Sequence, residues 1–201
     1  MDSTIVCLIR HGQTDWNKNK LIQGTIDNKL NSEGKKQALD TAGLLKEIDI
    51  KWDLLMSSPL SRAVETMEII RNSLYPDKEV IKNIDVIERD FGALEGKSVC
   101  KESYDLMFSG NVEGLEQIDV LENRAYNAMI NIHKKYPNKK ILITSHSQFI
   151  KGLLTKVDPT FDFTFVIKNT SLNFFKITND KVTSLQYNVL SKNELNINII
   201  E

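Results

Sequence analysis

The chain is short of several things, and each shortage closes off a class of protein. Its 201 residues include two cysteines, Cys7 and Cys100, too few for a disulfide framework and without metal-ligand spacing. Apolar runs are brief, as in Ile141-Leu142-Ile143, and none approaches the roughly 20 residues of a membrane span. Neither sign of charge dominates: 26 basic against 27 acidic residues leave a net charge of −1. That balance excludes a whole-chain basic field for nucleic acid or acidic lipid. Met1-Asp2-Ser3-Thr4 offers no basic region ahead of an apolar stretch, so no secretory signal is read there. No internal repeat, linker or low-complexity stretch interrupts the chain. Hydrophobic residues at 41% and charged residues at 26% are those of a globular chain. A soluble, cytoplasmic, single domain spanning residues 1–201 is expected.

Two residue types are scarce in a more informative way. Of the 26 cations, 21 are Lys and five are Arg: Arg10, Arg62, Arg71, Arg89 and Arg124. In a chain that uses Lys by default, Arg marks places where a planar fork grips two oxygens. The histidines are His11, His133 and His146.

Hydrophobic periodicity places these residues. Thr4 to Ile9 is a continuous, β-branched run, as in a strand covered on both faces, and it stops at Arg10-His11-Gly12. Asn31-Ser32 caps a helix carrying Ala38, Ala42 and Leu45. Asp53 to Met56 reads as a strand ending at Ser57-Ser58-Pro59, followed by a helix with Ala63, Met67, Ile70 and Leu74 on one face. Glu79 to Ile81 is a short strand. Residues 83 to about 114 mix four glycines with scattered aromatics, and 83–123 is expected to be a lid-like insertion over the sheet. Ile118, Leu121, Ala125, Ala128 and Ile132 form a helical stripe. Lys140 to Thr144 is a strand ending at Ser145-His146-Ser147, before a helix over 148–156. Leu172 to Ile177 and Val182 to Val189, joined by Thr178-Asn179-Asp180, read as an edge hairpin. Strands alternating with helices predict an α/β three-layer sandwich, its mainly parallel sheet flanked by helices and closed by an antiparallel edge.

Ligands of open α/β sheets collect at the carboxyl ends of the strands. That rim holds Arg10-His11-Gly12, Ser57-Ser58-Pro59 with Arg62 one turn on, and Ser145-His146-Ser147. Two guanidinium forks suit the oxygens of a phosphoryl group, and a neutral imidazole attacks phosphorus to give a covalent intermediate that water resolves. A second imidazole can donate to the phosphoryl oxygens. The departing alkoxide needs a proton, and Glu88, in Glu88-Arg89-Asp90-Phe91-Gly92, is the acid best placed to give it.

These blocks resemble the signature of the histidine phosphatase superfamily, the phosphoglycerate mutase-like group. Leu8-Ile9-Arg10-His11-Gly12-Gln13-Thr14-Asp15-Trp16-Asn17 is similar to its first motif, Gln23-Gly24 with Asp27 and Leu30 to the continuation, and Ser57 to Ala63 with Thr66 to the second block. Glu88 to Gly92 with Glu95-Gly96 resembles the acid-bearing block, and Thr144-Ser145-His146 the last. The resemblance covers most of residues 4–150. It implies that His11 is phosphorylated, that Arg10 and Arg62 bind the phosphoryl group, that His146 completes the pocket and that Glu88 protonates the leaving group. Asn17 and Ser147 would help hold phosphate, with Gln23 and Gly24 lining the entrance; no cofactor or metal is implied. Two positions depart from the pattern. Ser147 stands where glycine commonly follows the histidine, and Gln13 where the mutases often carry glutamate.

The superfamily contains phosphatases and mutases. Residues 97–123 hold two cations, Lys97 and Lys101, against six acids, a net −4, which is a poor field for a multiply phosphorylated intermediate. A phosphomonoesterase of small phosphate esters is therefore expected, similar to the α-ribazole phosphatase and broad-specificity branches. The alternatives are a phosphoglycerate-type mutase, a phosphoprotein phosphatase and a degenerate phosphate-ester binder. Tyr104, Met107 and Phe108 would contact a neutral or weakly polar substrate body. Elsewhere, His133, Arg71 and Arg124 are expected on solvated helix surfaces, and Arg89 as an ion-pair partner orienting the acid block. Cys7 reads as core filler, Cys100 as an inert thiol, and Trp16 as a packing anchor. No apolar stripe is surplus to the core, so the sequence leaves the oligomeric state open.

Overall fold

The computed structural model describes residues 2–179 and 181–196. Strand β1 (Thr4–Arg10) shows why a continuous apolar run is needed here. Its side chains alternate between two cores, Val6 and Leu8 facing one and Ile5, Cys7 and Ile9 the other, so both faces are covered. After the short α1 (Asp15–Lys18) comes α2 (Ser32–Ile48), started by the Asn31 side chain accepting from the Gly34 N–H. Then follow β2 (Leu54–Ser57), α3 (Ser61–Leu74) and β3 (Val80–Lys82). Two 3₁₀ turns (Ile84–Val86 and Gly92–Leu94), α4 (Lys101–Ser109) and α5 (Ile118–Lys135) lead to β4 (Lys140–Ser145) and α6 (Ser147–Val157). The hairpin β5 (Leu172–Thr178) and β6 (Lys181–Val189) closes the sheet; Asp180 of its expected turn lies outside the described residues.

The sheet order is β3-β2-β4-β1-β5-β6. The first four strands are parallel, and β5 and β6 are antiparallel. Residues of α5 and α6 pack with one face of the sheet, and residues of α2 and α3 with the other. This is the expected three-layer sandwich with an antiparallel edge. Register then builds the rim: Arg10 lies opposite Ser145, and Ser57 opposite Thr144. The ladder runs one residue further, His11 N–H donating to Ser145 O and Ser58 N–H to Thr144 O, both at 2.9 Å. Three predicted motifs thus end side by side.

A third apolar cluster lies apart from the two sheet cores. Ile22, Phe91, Leu94, Met107 and Leu115 form it, with Tyr104 and Val112 against it. The bridges Leu21↔Ser98 and Phe91↔Leu115 tie the segment together. No helix among the described residues is long and apolar enough to cross a membrane.

Two expectations about surface residues fail. His133 is 2% exposed, its ring bonded to Thr4 Oγ1 at 2.9 Å and Asn179 Oδ1 at 3.1 Å. Its helix face is the one laid on the sheet, which the neighbouring Lys134 and Lys135 disguise in sequence. Arg124 is likewise no free surface cation: it forks onto both oxygens of Glu116 and donates to the carbonyls of Asp85, Ile87 and Glu88.

Candidate active site

His11 follows β1 and is 2% exposed. Its Nδ1 lies 2.7 Å from the Gly12 carbonyl oxygen. A carbonyl only accepts, so Nδ1 carries the proton and Nε2 keeps its lone pair. The backbone there is held from three sides. Asn169 Nδ2 donates to the His11 carbonyl (2.8 Å), Thr170 N–H to the Arg10 carbonyl (2.8 Å), and Gly12 N–H to Thr66 Oγ1 (3.0 Å). Gly12 and Gly34 approach so closely that a Cβ on either would lie within 2.4 Å of the other side's backbone oxygens.

The two arginines reach the site from different elements. Arg10, the last residue of β1, donates from Nη1 to Ile167 O at 2.6 Å. Arg62, in the first turn of α3, donates to Gly24 O (2.6 Å) and Ile26 O (3.0 Å). Glu95 secures that receiving loop, its carboxylate accepting from the N–H groups of Thr25 (2.7 Å) and Ile26 (2.8 Å). The Nε atoms of both arginines are buried without a partner. Burial lowers both guanidinium groups to about 10, so both remain charged at neutral pH. Their contacts are with carbonyl oxygens rather than carboxylates, which leaves two desolvated positive charges seeking an anion.

His146 is fully buried with its ring centroid 5.2 Å from that of His11. Its Nε2 meets Ser58 Oγ at 2.7 Å, and its Nδ1 is buried without a partner. Burial, reinforced by Arg62 and Arg10, pushes both histidines well below the usual imidazole value. Glu88 moves the other way. Its Oε1 accepts from Arg89 N–H (2.9 Å) and Phe149 N–H (3.1 Å), its Oε2 from Gln148 N–H (3.3 Å). Those donors and nearby Arg62 favour the carboxylate, but burial outweighs them and raises the group above the ordinary carboxylate value.

Arg10, His11 and Glu88 line a cavity of about 180 Å³ together with Asn17, Gln23, Ser147 and Gln148, whereas Arg62 and His146 are not on its wall. Leu21, Ile22, Phe91, Val99, Tyr104 and Met107 make its apolar wall. Asn17 belongs to a capping box, its Oδ1 accepting from Thr14 N–H, and Gln23 Oε1 accepts from the Thr14 hydroxyl. Gly24 is not on the wall: it stands behind, giving its carbonyl to Arg62. Phe108 is also off the wall, tilted against Tyr104 and edge-on to Phe163. Ser147 begins α6 without a positive φ, so its backbone makes no demand for glycine. Arg89 forms no ion pair with the acid: it donates to Glu116 O and Met107 O, bracing the segment that carries the apolar wall. Sequence reasoning missed the roles of Arg124, Asn169 and Gln148, and it quoted Glu95 in the acid-bearing block without giving it a role. Of the first three, only Arg124 carried a signal, the scarcity of arginine. Among the described residues, no group of His, Cys, Asp or Glu is arranged to hold a metal ion. Two larger grooves, of about 520 and 570 Å³, contain no histidine.

The chain is similar in sequence and in fold to several known proteins. An uncharacterised phosphatase of Bacillus subtilis, PhoE, is 35% identical over 192 residues, covering 94% of this chain and 96% of that protein. A metal-independent phosphoserine phosphatase of Arabidopsis thaliana is 31% identical over 165 residues, covering 77% and 68%. Among solved structures, phosphoserine phosphatase of Entamoeba histolytica, in complex with 3-phosphoglyceric acid, superposes with a TM-score of 0.78 at 28% identity, covering 96% of this chain and all of that one. Phosphoglycerate mutases also occur among the relatives. Residues 6–190 match the histidine phosphatase superfamily (branch 1), and the chain belongs to that family.

Proposed function

We propose that the protein is a phosphomonoesterase that hydrolyses small phosphate esters through phosphohistidine. The observation that carries this reading is the 2.7 Å contact of His11 Nδ1 with the Gly12 carbonyl, which leaves Nε2 unprotonated beside two buried guanidinium groups. In the first step the Nε2 lone pair attacks phosphorus. The P–O ester bond breaks, and the departing oxygen takes the proton of Glu88. In the second step Glu88, now a carboxylate, accepts a proton from water, whose oxygen attacks phosphorus. The P–N bond breaks and inorganic phosphate leaves. Arg10, Arg62 and the unpartnered Nδ1 of His146 stabilise charge on the phosphoryl oxygens, and Asn17 offers its amide nitrogen to the same group. Glu88 Oε2, with a single contact at 3.3 Å, is the oxygen that carries the transferred proton.

Water is preferred to a second substrate oxygen as acceptor because of the wall. A mutase must grip a second anionic group, whereas Leu21, Val99, Tyr104 and Met107 offer apolar contact and residues 97–123 carry net negative charge. In this reading residues 83–123 form the lid expected from the sequence, and the ester's body is neutral or weakly polar. The test is hydrolysis of p-nitrophenyl phosphate in excess EDTA. Wild-type turnover that disappears in His11→Ala is expected. Loss of wild-type turnover on adding EDTA, or full activity in the variant, would refute the mechanism. Phosphoserine and phosphoglycerates, which the relatives' names point to, complete the substrate panel; isomerisation of phosphoglycerate without release of phosphate would favour the mutase.

A further inference from the structure

Four buried polar atoms of the site, two of them on cavity-lining residues, have no partner within the protein. Three of them, Arg10 Nε, Arg62 Nε and His146 Nδ1, suit phosphoryl oxygens. The fourth does not. Gln148 lines the same cavity, and its side-chain oxygen is buried with no donor. A phosphoryl dianion cannot satisfy it, because both would be acceptors.

The other amides on the wall are engaged. Asn17 Oδ1 accepts from the Thr14 N–H, and Gln23 Oε1 accepts from the Thr14 hydroxyl. Gln148 springs from a rigid point, the second residue of α6, with its N–H on Glu88 Oε2. Its backbone therefore stands against the carboxyl group assigned to protonate the leaving oxygen, and its side chain lines the same cavity. The facing aliphatic side chains of Leu21, Ile22, Val99 and Met107 bring no donor. A buried acceptor left unpaired destabilises the complex that leaves it so, which makes the ester's own body the natural source of the missing donor.

We propose that Gln148 is a specificity-determining residue. Its amide oxygen accepts a hydrogen bond from a hydroxyl on the leaving group, a few bonds from the ester oxygen. The substrates are then small hydroxyalkyl phosphates, of a size the cavity of about 180 Å³ admits, rather than plain alkyl phosphates. This rests on the reading of the cavity as a phosphate-ester site.

The experiment compares kcat/KM for matched esters: 2-hydroxyethyl against n-propyl phosphate, and 3-hydroxypropyl against n-butyl phosphate, with p-nitrophenyl phosphate alongside. The wild-type protein should favour a hydroxylated member by about tenfold or more, the scale of one buried polar group left unpaired. In Gln148→Met, which keeps side-chain length and removes the amide, that ratio should fall to about one. Equal wild-type rates within both pairs would overturn the proposal without any variant. So would a preference that survives in Gln148→Met, because another residue would then be reading the hydroxyl. Failure of the wild type on every ester, p-nitrophenyl phosphate included, would instead remove the phosphatase reading and this proposal with it.

Discussion

Burial moves the two kinds of titrating group at the cavity in opposite directions, and the sign of each shift fixes the pH response. In the proposed mechanism His11 must be neutral to attack, and burial together with Arg62 and Arg10 lowers it well below 6.5, so attack-competent imidazole persists into acid. In the same mechanism Glu88 must be protonated to donate, and burial raises it above 4.5. Activity therefore falls on the alkaline side as Glu88 ionises and on the acid side as His11 protonates. Glu88→Gln should abolish the alkaline limb of the kcat/KM profile. It should cost about 10²–10⁴ on alkyl phosphates but far less on p-nitrophenyl phosphate, whose leaving group needs little protonation. Equal losses on both would remove Glu88 from this role. The same residue scale shows what a polar sequence neighbourhood conceals. Arg124 and His133 both sit among charged residues, yet each is bonded into the structure because its helical phase turns it inward.

Helix α2 contributes to the site without giving it a side chain. At its first turn Gly34 packs on the loop that follows β1, and a Cβ there would stand 2.1 Å from Gln13 O. Both partners are backbone, so neither can swing aside. Gly34→Ala should displace the His11 loop, lowering kcat/KM and destabilising the fold by about 1–3 kcal/mol. Gly43, on the same helix, has nothing within 4 Å of its Cβ position. Gly43→Ala should leave activity unchanged and stabilise the protein by about 0.5–1 kcal/mol. Thermal unfolding of the pair checks this, at about 2–4 °C per kcal/mol for a chain of this size. If both variants gain stability equally, helix propensity at α2 rather than the close approach governs the result.

For the molecule as a whole, the same two histidines make stability depend on pH. Unfolded, each takes up a proton near 6.5; folded, each does so only well below that value. Above 6.5 both states hold them neutral and no penalty arises. As pH falls below 6.5 the unfolded state binds protons that the folded state does not. Stability is then lost at up to about 1.4 kcal/mol per pH unit for each histidine, until the folded values are reached. His11→Gln should show a shallower fall in Tm than wild type between about pH 7 and pH 5. Parallel curves would mean that other groups dominate acid unfolding.

Much of this was legible in the sequence because it depends on local pattern. The strands announced themselves as β-branched runs, the helices as stripes at helical spacing, and the rim as polar tripeptides at strand ends. Arg10, His11, Arg62, Glu88 and His146 were picked out by scarcity and position, and the structure brings all five together. Other contributions depend on pairings that no local pattern encodes. Asn169 reaches His11 across 158 positions, and Gly24 serves Arg62 from behind rather than lining the entrance. Glu95 holds the loop that receives Arg62, and Gln148 is left with a buried, unanswered oxygen. The sequence by itself determined which residue types suited to phosphoryl chemistry the chain carries and that Arg10, His11 and His146 stand at strand ends. Only the tertiary structure decided which nitrogen of His11 is free, which charges lie desolvated and which polar atoms still lack a partner. Those properties arise when distant segments exclude water from one another.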